Sequence, residues 1–313
     1  MERIDVKNLK EYVNREIISY FLVSEKELRE GAKDFFIRMK LTDKTGNVAA
    51  NLWNNAKTEN EKFKEGDVVK VKAMVILYKN QVQLTVQQIR LAESVEFDMA
   101  DILPVTKKDV NQLADKLFSY IENITDSNIR ALLKQFFDDK EFFTIFATSP
   151  AAKSWHHNFI SGLLEHTVSV ADICEFACTK YPLNKDILIA GALLHDIGKV
   201  YEYNQKSNID FTDIGRLIGH LAIGDQMVFD AASKINNFPS VTLMKIRHLI
   251  LSHHGEYEKA SVRLPQTLEA IVLHFADNLD AQTTGVMQLL DGAAPDAEWS
   301  EFDRMNERYY FLG

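Results

Sequence analysis

The sequence predicts a multidomain α and β protein, a small closed β-barrel followed by an all-α helical bundle. Three observations carry that reading. Strand-like alternation of apolar and polar residues fills much of the first 95 residues; helical spacing takes over from about residue 107; and all nine histidines fall between 156 and 274. A length of 313 residues suits two compact domains. The expected boundaries are a barrel over 1–95, a helical connector over 96–150 and the bundle over 151–313.

In the first part, residues 35–43 (FFIRMKLTD) read as a strand. A turn at Lys44-Thr45-Gly46 leads into a second strand, 47–53 (NVAANLW). After a polar Lys/Glu-rich stretch, Val69, Val71 and Ala73 alternate with Lys70, Lys72 and Met74, as a half-buried strand requires. Lys79-Asn80 sits where a hairpin turn is needed, ahead of Val82, Leu84, Val86 and Ile89. Strands with short turns and one helical gap suggest a small closed barrel. Beyond it, Leu113, Leu117, Tyr120, Ile121 and Ile124 follow helical spacing, as do Ile129, Leu132, Leu133, Phe136 and Phe137. Pro104 and Pro150 punctuate this region, and from 151 onward the pattern is helical apart from a polar interruption at 202–213.

Composition narrows the function. No run approaches the roughly 20 apolar residues of a membrane helix, and the charged start MERIDVKNLKEYV lacks a secretory signal. Cys174 and Cys178 lie one helical turn apart and read as small buried hydrophobes, with a shared metal role the weaker alternative. A reducing, cytoplasmic location is expected. A net charge of −9 argues against a protein that coats nucleic acid by bulk electrostatics. The charge is uneven: residues 1–95 hold 17 Lys and Arg against 14 Asp and Glu, whereas the remainder hold 19 against 31. The acidic part is either a solubilising surface or a set of carboxylates gathered for metal.

The histidines favour metal. His166 lies early in a helix, His195-Asp196 follows the apolar stretch ILIAGALL, and His220 follows Gly219. His253-His254 closes the helix KIRHLILS, and Asp277 lies in LHFADNLD. Imidazole and carboxylate suit Mn²⁺, Fe²⁺, Co²⁺ or Zn²⁺ at open catalytic sites, and a bundle gathers such ligands from facing helices. A buried Asp needs a partner, and the carboxylate of Asp196 is able to bridge two ions about 3.5–4 Å apart. A divalent ion also acidifies water toward neutral pH, so hydrolysis needs no serine or cysteine nucleophile. No Gly-x-Ser-x-Gly elbow or Walker loop is present. His156, His157, His248 and His274 read as ordinary core or surface histidines.

The ordered segments LLEHTVSVA, ALLHDIGK, GHLAIG, LSHHG and HFADNLD resemble the signature of the HD superfamily of metal-dependent phosphohydrolases. The resemblance implies metal binding by His166, His195, Asp196 and Asp277. It implies a second ion involving His220 and either His253 or His254, a choice the sequence leaves open. Lys199 resembles the family lysine that faces substrate phosphate; the alternative is an exposed lysine at a helix end. His195, Asp196 and Lys199 are thus the expected catalytic set.

The barrel offers Phe35, Phe36, Trp53 and Tyr78 interleaved with Lys33, Arg38, Lys40, Lys70, Lys72 and Lys79. Rings of this kind stack bases while cations track phosphates. Of these, Phe35, Arg38, Lys40, Trp53, Lys70, Lys72 and Tyr78 are the expected contacts to nucleic acid. The stretch DFFIRMKLTDKTGNVAANLW resembles the opening strand pair of nucleic-acid-binding OB domains. An OB domain, a helical connector and a C-terminal HD domain together resemble the YhaM family of bacterial exoribonucleases. That implies Mn²⁺-dependent 3′→5′ removal of nucleotides from single-stranded RNA, with single-stranded DNA as a second substrate. Two alternatives stand beside it: an HD enzyme acting on a small nucleotide, or a DNA-binding replication factor with a vestigial HD site. Gly-Tyr-Pro does not follow His253-His254, unlike in the cyclic-dinucleotide branch. The apolar tail Tyr309-Tyr310-Phe311-Leu312 either supports a homo-oligomer or packs on its own domain.

Overall fold

The computed structural model describes residues 3–31, 34–93, 95–152, 157–204, 210–291, 297–300, 302–303 and 306–313. Lys33 and His156 therefore lie outside the described residues. The chain divides into two compact units, one over Met1–Val105 and one over Thr106–Asn204 with Asp210–Gly313.

The first unit is a closed five-stranded barrel in the order β1-β2-β3-β5-β4. Strand β1 (Glu16–Glu30) is long because it serves two partners. Residues 16–22 pair with β4 and residues 22–30 with β2, across a bulge between Val23 and Glu25. Strands β2 (Phe35–Asp43) and β3 (Gly46–Leu52) form the expected hairpin. Its turn is fixed by Asp43, whose carboxylate accepts from Thr45 N at 2.8 Å. Helix α1 (Ala56–Asn60) precedes β4 (Val68–Tyr78), which turns into β5 (Gln81–Leu91). Lys79 and Asn80 both have positive φ, 48° and 62°, as a type I′ hairpin demands. A register shift opposite Lys72/Ala73 explains why the inward residues of β5 pass from Val86 to Ile89. Strand β3 closes the barrel by parallel pairing with β5. Phe21, Ile37, Leu41, Val71 and Leu84 fill the interior, and Leu9 from the 3₁₀ turn Val6–Tyr12 joins them. Helix α2 (Met99–Ile102), capped by Asp98, packs Ile102 with Leu22 and Val68.

The second unit is helical. Helices α3 (Val110–Glu122), α4 (Ser127–Phe137) and α5 (Lys140–Thr148) each start after an aspartate, Asp109, Asp126 or Asp139, that accepts from two backbone amides of the first turn. Next come α6 (Gly162–Cys178), α7 (Lys185–Leu194), the short α8 (Lys199–Glu202) and α9 (Asp213–Leu217), α10 (His220–Ser233), α11 (Ser240–Ser252) and α12 (Leu268–Asp291). One core runs through all the longer helices. Leu117, Ile121, Leu133, Phe137 and Phe146 from α3 to α5 share it with Leu164, Leu188, Leu249 and Leu273. The segment expected to be a connector is therefore divided. Its α2 packs on the barrel, whereas α3 to α5 build the wall against which the site-bearing helices rest. The tail folds back within this unit, with Phe311 bridging to Trp299 and Arg308 to Asp303. No helix among the described residues is long and apolar enough to cross a membrane.

Candidate functional site

The helical unit brings all seven expected metal-ligating residues to one place. His166 projects from α6, and His195 ends α7. Asp196 stands on the tight turn that follows, where the chain is pressed against α10. A Cβ on Gly198 would lie 2.2 Å from the carbonyl oxygen of His220, so only glycine allows that approach. The approach sets His220, first residue of α10, beside Asp196. His253 and His254 follow α11, and Asp277 faces inward from α12.

Two donor sets share Asp196. His166 Nε2 lies 3.1 Å from Asp277 Oδ1, 3.2 Å from His195 Nε2 and 3.5 Å from Asp196 Oδ2. On the other oxygen, Asp196 Oδ1 is 3.5 Å from His220 Nε2 and 3.6 Å from His253 Nε2, and His220 Nε2 is 3.3 Å from His254 Nε2. Donors about 2.0–2.2 Å from a common ion stand roughly 3–3.5 Å apart, which is the spacing found. Both members of the His253-His254 pair therefore face the second set.

Every imidazole is aimed. Nδ1 of His195 donates to Ala192 O, that of His253 to Ile250 O and that of His254 to Lys259 O, at 2.7–2.9 Å. His166 Nδ1 meets Asp280 Oδ2 at 2.6 Å, and His220 Nδ1 meets Glu202 Oε1 at 2.9 Å. With Nδ1 engaged in each ring, five Nε2 atoms converge, those of His195, His220, His253 and His254 as lone pairs and that of His166 once it gives up its proton. The buried Asp196 Oδ1 has no hydrogen-bond partner, an arrangement that is costly unless a cation completes it. The donor set fits one or two divalent ions.

The electrostatics agree. Burial holds His253 below its usual range and, with its imidazole neighbours, takes His254 down to about 3, so both are neutral ligands. Burial opposes ionisation of Asp277, yet the hydrogen bond from His166 keeps its carboxyl well below the usual range. Burial opposes a charge on His166 as well, but Asp277 and Asp280 outweigh it and raise that imidazole to about 9. Ion binding then displaces a proton. Lys199, expected to face phosphate, is buried with Nζ 2.6 Å from Asp196 Oδ2. It still lines the cleft of about 480 Å³ above Asp196 and Asp277, together with Lys259, His274, Asn278 and Gln282. A larger cavity of about 780 Å³ lies elsewhere, beside Asp126 and Asp186. These carboxylates already accept from backbone amides, so that cavity offers no comparable chemistry.

Three supporting residues escaped the sequence reading. Asp280 and Glu202 orient His166 and His220, and Ser169 Oγ adds a hydrogen bond to Asp280. His157, which reads as an ordinary histidine in the sequence, is buried within 3.8 Å of Asp280 and 3.9 Å of Glu165. His248 is structural as expected, accepting from Gln266 N. His274 bonds the carbonyl of His253 through Nδ1 and also lines the cleft. Cys174 is buried and Cys178 half-buried, both free, and burial pushes both thiols up.

In the barrel, strand alternation sorts the expected contacts. Ile37, Met39 and Leu41 point inward, so Phe35 does too and packs against the core with Lys57 Nζ over its ring. Phe35 is therefore not a base-stacking surface. That place belongs to Phe36, which stacks on the half-exposed Trp53 with centroids 4.5 Å apart. Arg38 and Lys40 continue outward along β2 and line a groove of about 620 Å³ with Arg29, Asn47 and acidic residues of β1. Tyr78 is exposed at the β4–β5 turn beneath Lys79. Lys70 and Lys72 do face outward, but on β4, where Glu96 and Glu16 pair with them at 3.0 Å. The structure does not bring them to the β2–β3 face.

Comparison with known proteins agrees with these two sites. Residues 163–282 match the family model of the HD domain, and residues 23–92 match that of the OB-fold nucleic acid binding domain. The chain thus carries an OB-fold nucleic acid binding domain followed by an HD domain. Among solved structures, the second OB-fold domain of replication protein A from Methanococcus maripaludis is similar at 20% identity. The match covers 26% of this chain and 88% of that domain, with a TM-score of 0.23. Asparaginyl-tRNA synthetase from Pyrococcus horikoshii is similar at 18% identity, over 44% of this chain and 35% of the synthetase, with a TM-score of 0.26.

Proposed function

We propose that the protein is a cytoplasmic, metal-dependent 3′→5′ exonuclease of single-stranded RNA, acting also on single-stranded DNA, with the OB domain holding the strand. The observation that supports it most is the shared Asp196, one oxygen in each of two donor sets. Such a pair clamps the attacking and leaving oxygens of a phosphodiester. His166, His195, Asp196, His220, His253, His254 and Asp277 would hold the divalent ion, Mn²⁺ foremost, with Fe²⁺, Co²⁺ or Zn²⁺ also suited to His and Asp donors, and it would supply Lewis-acid activation of water and of the phosphoryl group. The residues do the rest. Asp280, Glu202 and three backbone carbonyls keep the imidazoles aimed, and Lys199 places a cation at the phosphate end of the cleft. The oxygen of water bonds to phosphorus, the P–O3′ bond breaks and the water's proton passes to O3′, leaving a nucleoside 5′-monophosphate and a chain with a new 3′-hydroxyl. The Phe36–Trp53 stack with Arg38 and Lys40 provides a platform for bases and backbone.

The test is digestion of 5′-labelled single-stranded RNA with Mn²⁺ or EDTA, resolved to single nucleotides. A ladder shortening from the 3′ end only with metal is expected. Asp196→Ala should abolish it while leaving single-strand binding intact. Intact RNA under all four metals would overturn the exonuclease and favour a small nucleotide as substrate.

A further inference from the structure

One face of α12 carries more than Asp277. His274, Asn278 and Gln282 recur every fourth residue, so they form a stripe along the helix, about 6 Å per step. All three line the cleft above Asp196 and Asp277, and the small Ala281 lies among them. His274 is fixed: its Nδ1 lies 2.8 Å from His253 O, and its ring fills the space at Gly255 that any Cβ would need. Asn278 and Gln282 are half-buried, with their side chains on the wall of the cleft. The lysines of the same cleft, Lys199 and Lys259, lie outside this stripe. The cleft thus has cations for a phosphate and a neutral strip of paired donors and acceptors beginning one residue from a ligand carboxylate.

We propose that Asn278 and Gln282 form the subsite for the sugar of the terminal nucleotide, and that they contact its 2′-hydroxyl. This rests on the phosphodiesterase reading of the same site, because a scissile phosphate above Asp196 and Asp277 places the attached sugar against α12. A ribose 2′-hydroxyl is at once donor and acceptor, and a carboxamide is its complement, since its oxygen accepts while its NH₂ donates. A 2′-deoxy sugar leaves those groups unmatched. The preference for RNA over DNA therefore resides in this strip of α12.

The experiment compares the full-length protein with Asn278→Ala, Gln282→Ala and the double variant, in Mn²⁺. Substrates are one RNA oligonucleotide and the same oligonucleotide with a single 2′-deoxy nucleotide at its 3′ end, followed in single turnover. The wild type should release the ribonucleotide about tenfold faster, the effect of one lost hydrogen bond, and the double variant should release both at the slower rate. Calorimetric binding of AMP and 2′-deoxy-AMP reads the same contact without turnover, and the wild-type preference for AMP should vanish in the double variant. A wild type that digests RNA while the variants keep its ribose preference overturns the inference. So does a variant that changes only which base is preferred. A wild type that digests neither oligonucleotide defeats the phosphodiesterase reading instead, and the two mononucleotides still decide whether the strip reads the sugar.

Discussion

Asp280 donates no atom to the inner ligand set, yet it decides where His166 points. Its carboxylate takes the Nδ1 proton at 2.6 Å and is itself held by Ser169. Replacing it with Asn keeps the shape but weakens the orienting bond and the basicity of the ring. Outer partners of this kind are worth about 10–100-fold in metal affinity. Asp280→Asn should lose that much Mn²⁺ affinity by calorimetric titration, and Glu202→Gln should weaken the ion at His220 similarly. Unchanged affinity in both would mean that the rings are held by packing alone. The same residues mark the limit of the sequence. Asp277 is legible because it sits in a recognisable segment, HFADNLD. Asp280, three positions on and sharing its helix face, looks like any solvating acid. Glu202 falls in what reads only as a polar interruption, and His157 carries no local pattern that separates it from a core histidine. Aspartates and glutamates that orient ligands acquire their role from a neighbour more than 15 residues away in sequence, so spacing does not expose them.

At the level of elements, strand β2 shows how much one residue of phase matters. Its alternation puts Phe36 outward beside Trp53 and Phe35 inward, and the signal was already present in Ile37, Met39 and Leu41. Base stacking on an aromatic is worth about 1–3 kcal/mol, so Trp53→Ala should weaken single-stranded RNA binding by roughly 5- to 150-fold. Phe35→Leu should leave it unchanged. Fluorescence anisotropy in EDTA separates binding from digestion. If Trp53→Ala binds normally, the strand runs over another wall, and the β4 side with Lys70 and Lys72 becomes the candidate. Strand β1 was less legible than β2 to β5. Its apolar run from Ile17 to Val23 pairs with one strand, then a bulge moves it to another, and the change of phase erases a clean period of two. The helices α3 and α4 are legible as helices from their apolar spacing, whereas the capping Asp before each of α3 to α5 emerges only in the structure. Their membership of the main core is not legible, because their partners Leu188 and Leu273 lie far along the chain.

At the scale of the molecule, each unit has its own core, and only the helical unit, among the described residues, holds His and Asp groups close enough to share an ion. The fold gathers Asp196, Asp277 and Asp280 around five imidazoles, and Asp196 Oδ1 has no hydrogen-bond partner there. An ion that binds this arrangement and not the unfolded chain stabilises it by about 4 kcal/mol at a thousandfold excess over its Kd. For a unit of this size that corresponds to roughly 10 °C in Tm. Calorimetric unfolding of the whole chain should therefore show the helical transition rising with Mn²⁺ and falling with EDTA, while that of the barrel stays fixed. Asp196→Ala removes a donor from both sets at once, so the Mn²⁺ response should largely disappear with it. If the wild type shows no shift, or if Asp196→Ala shifts as much, then Asp196 does not join two ion sites, and the proposed chemistry loses the residue on which both halves of the centre depend.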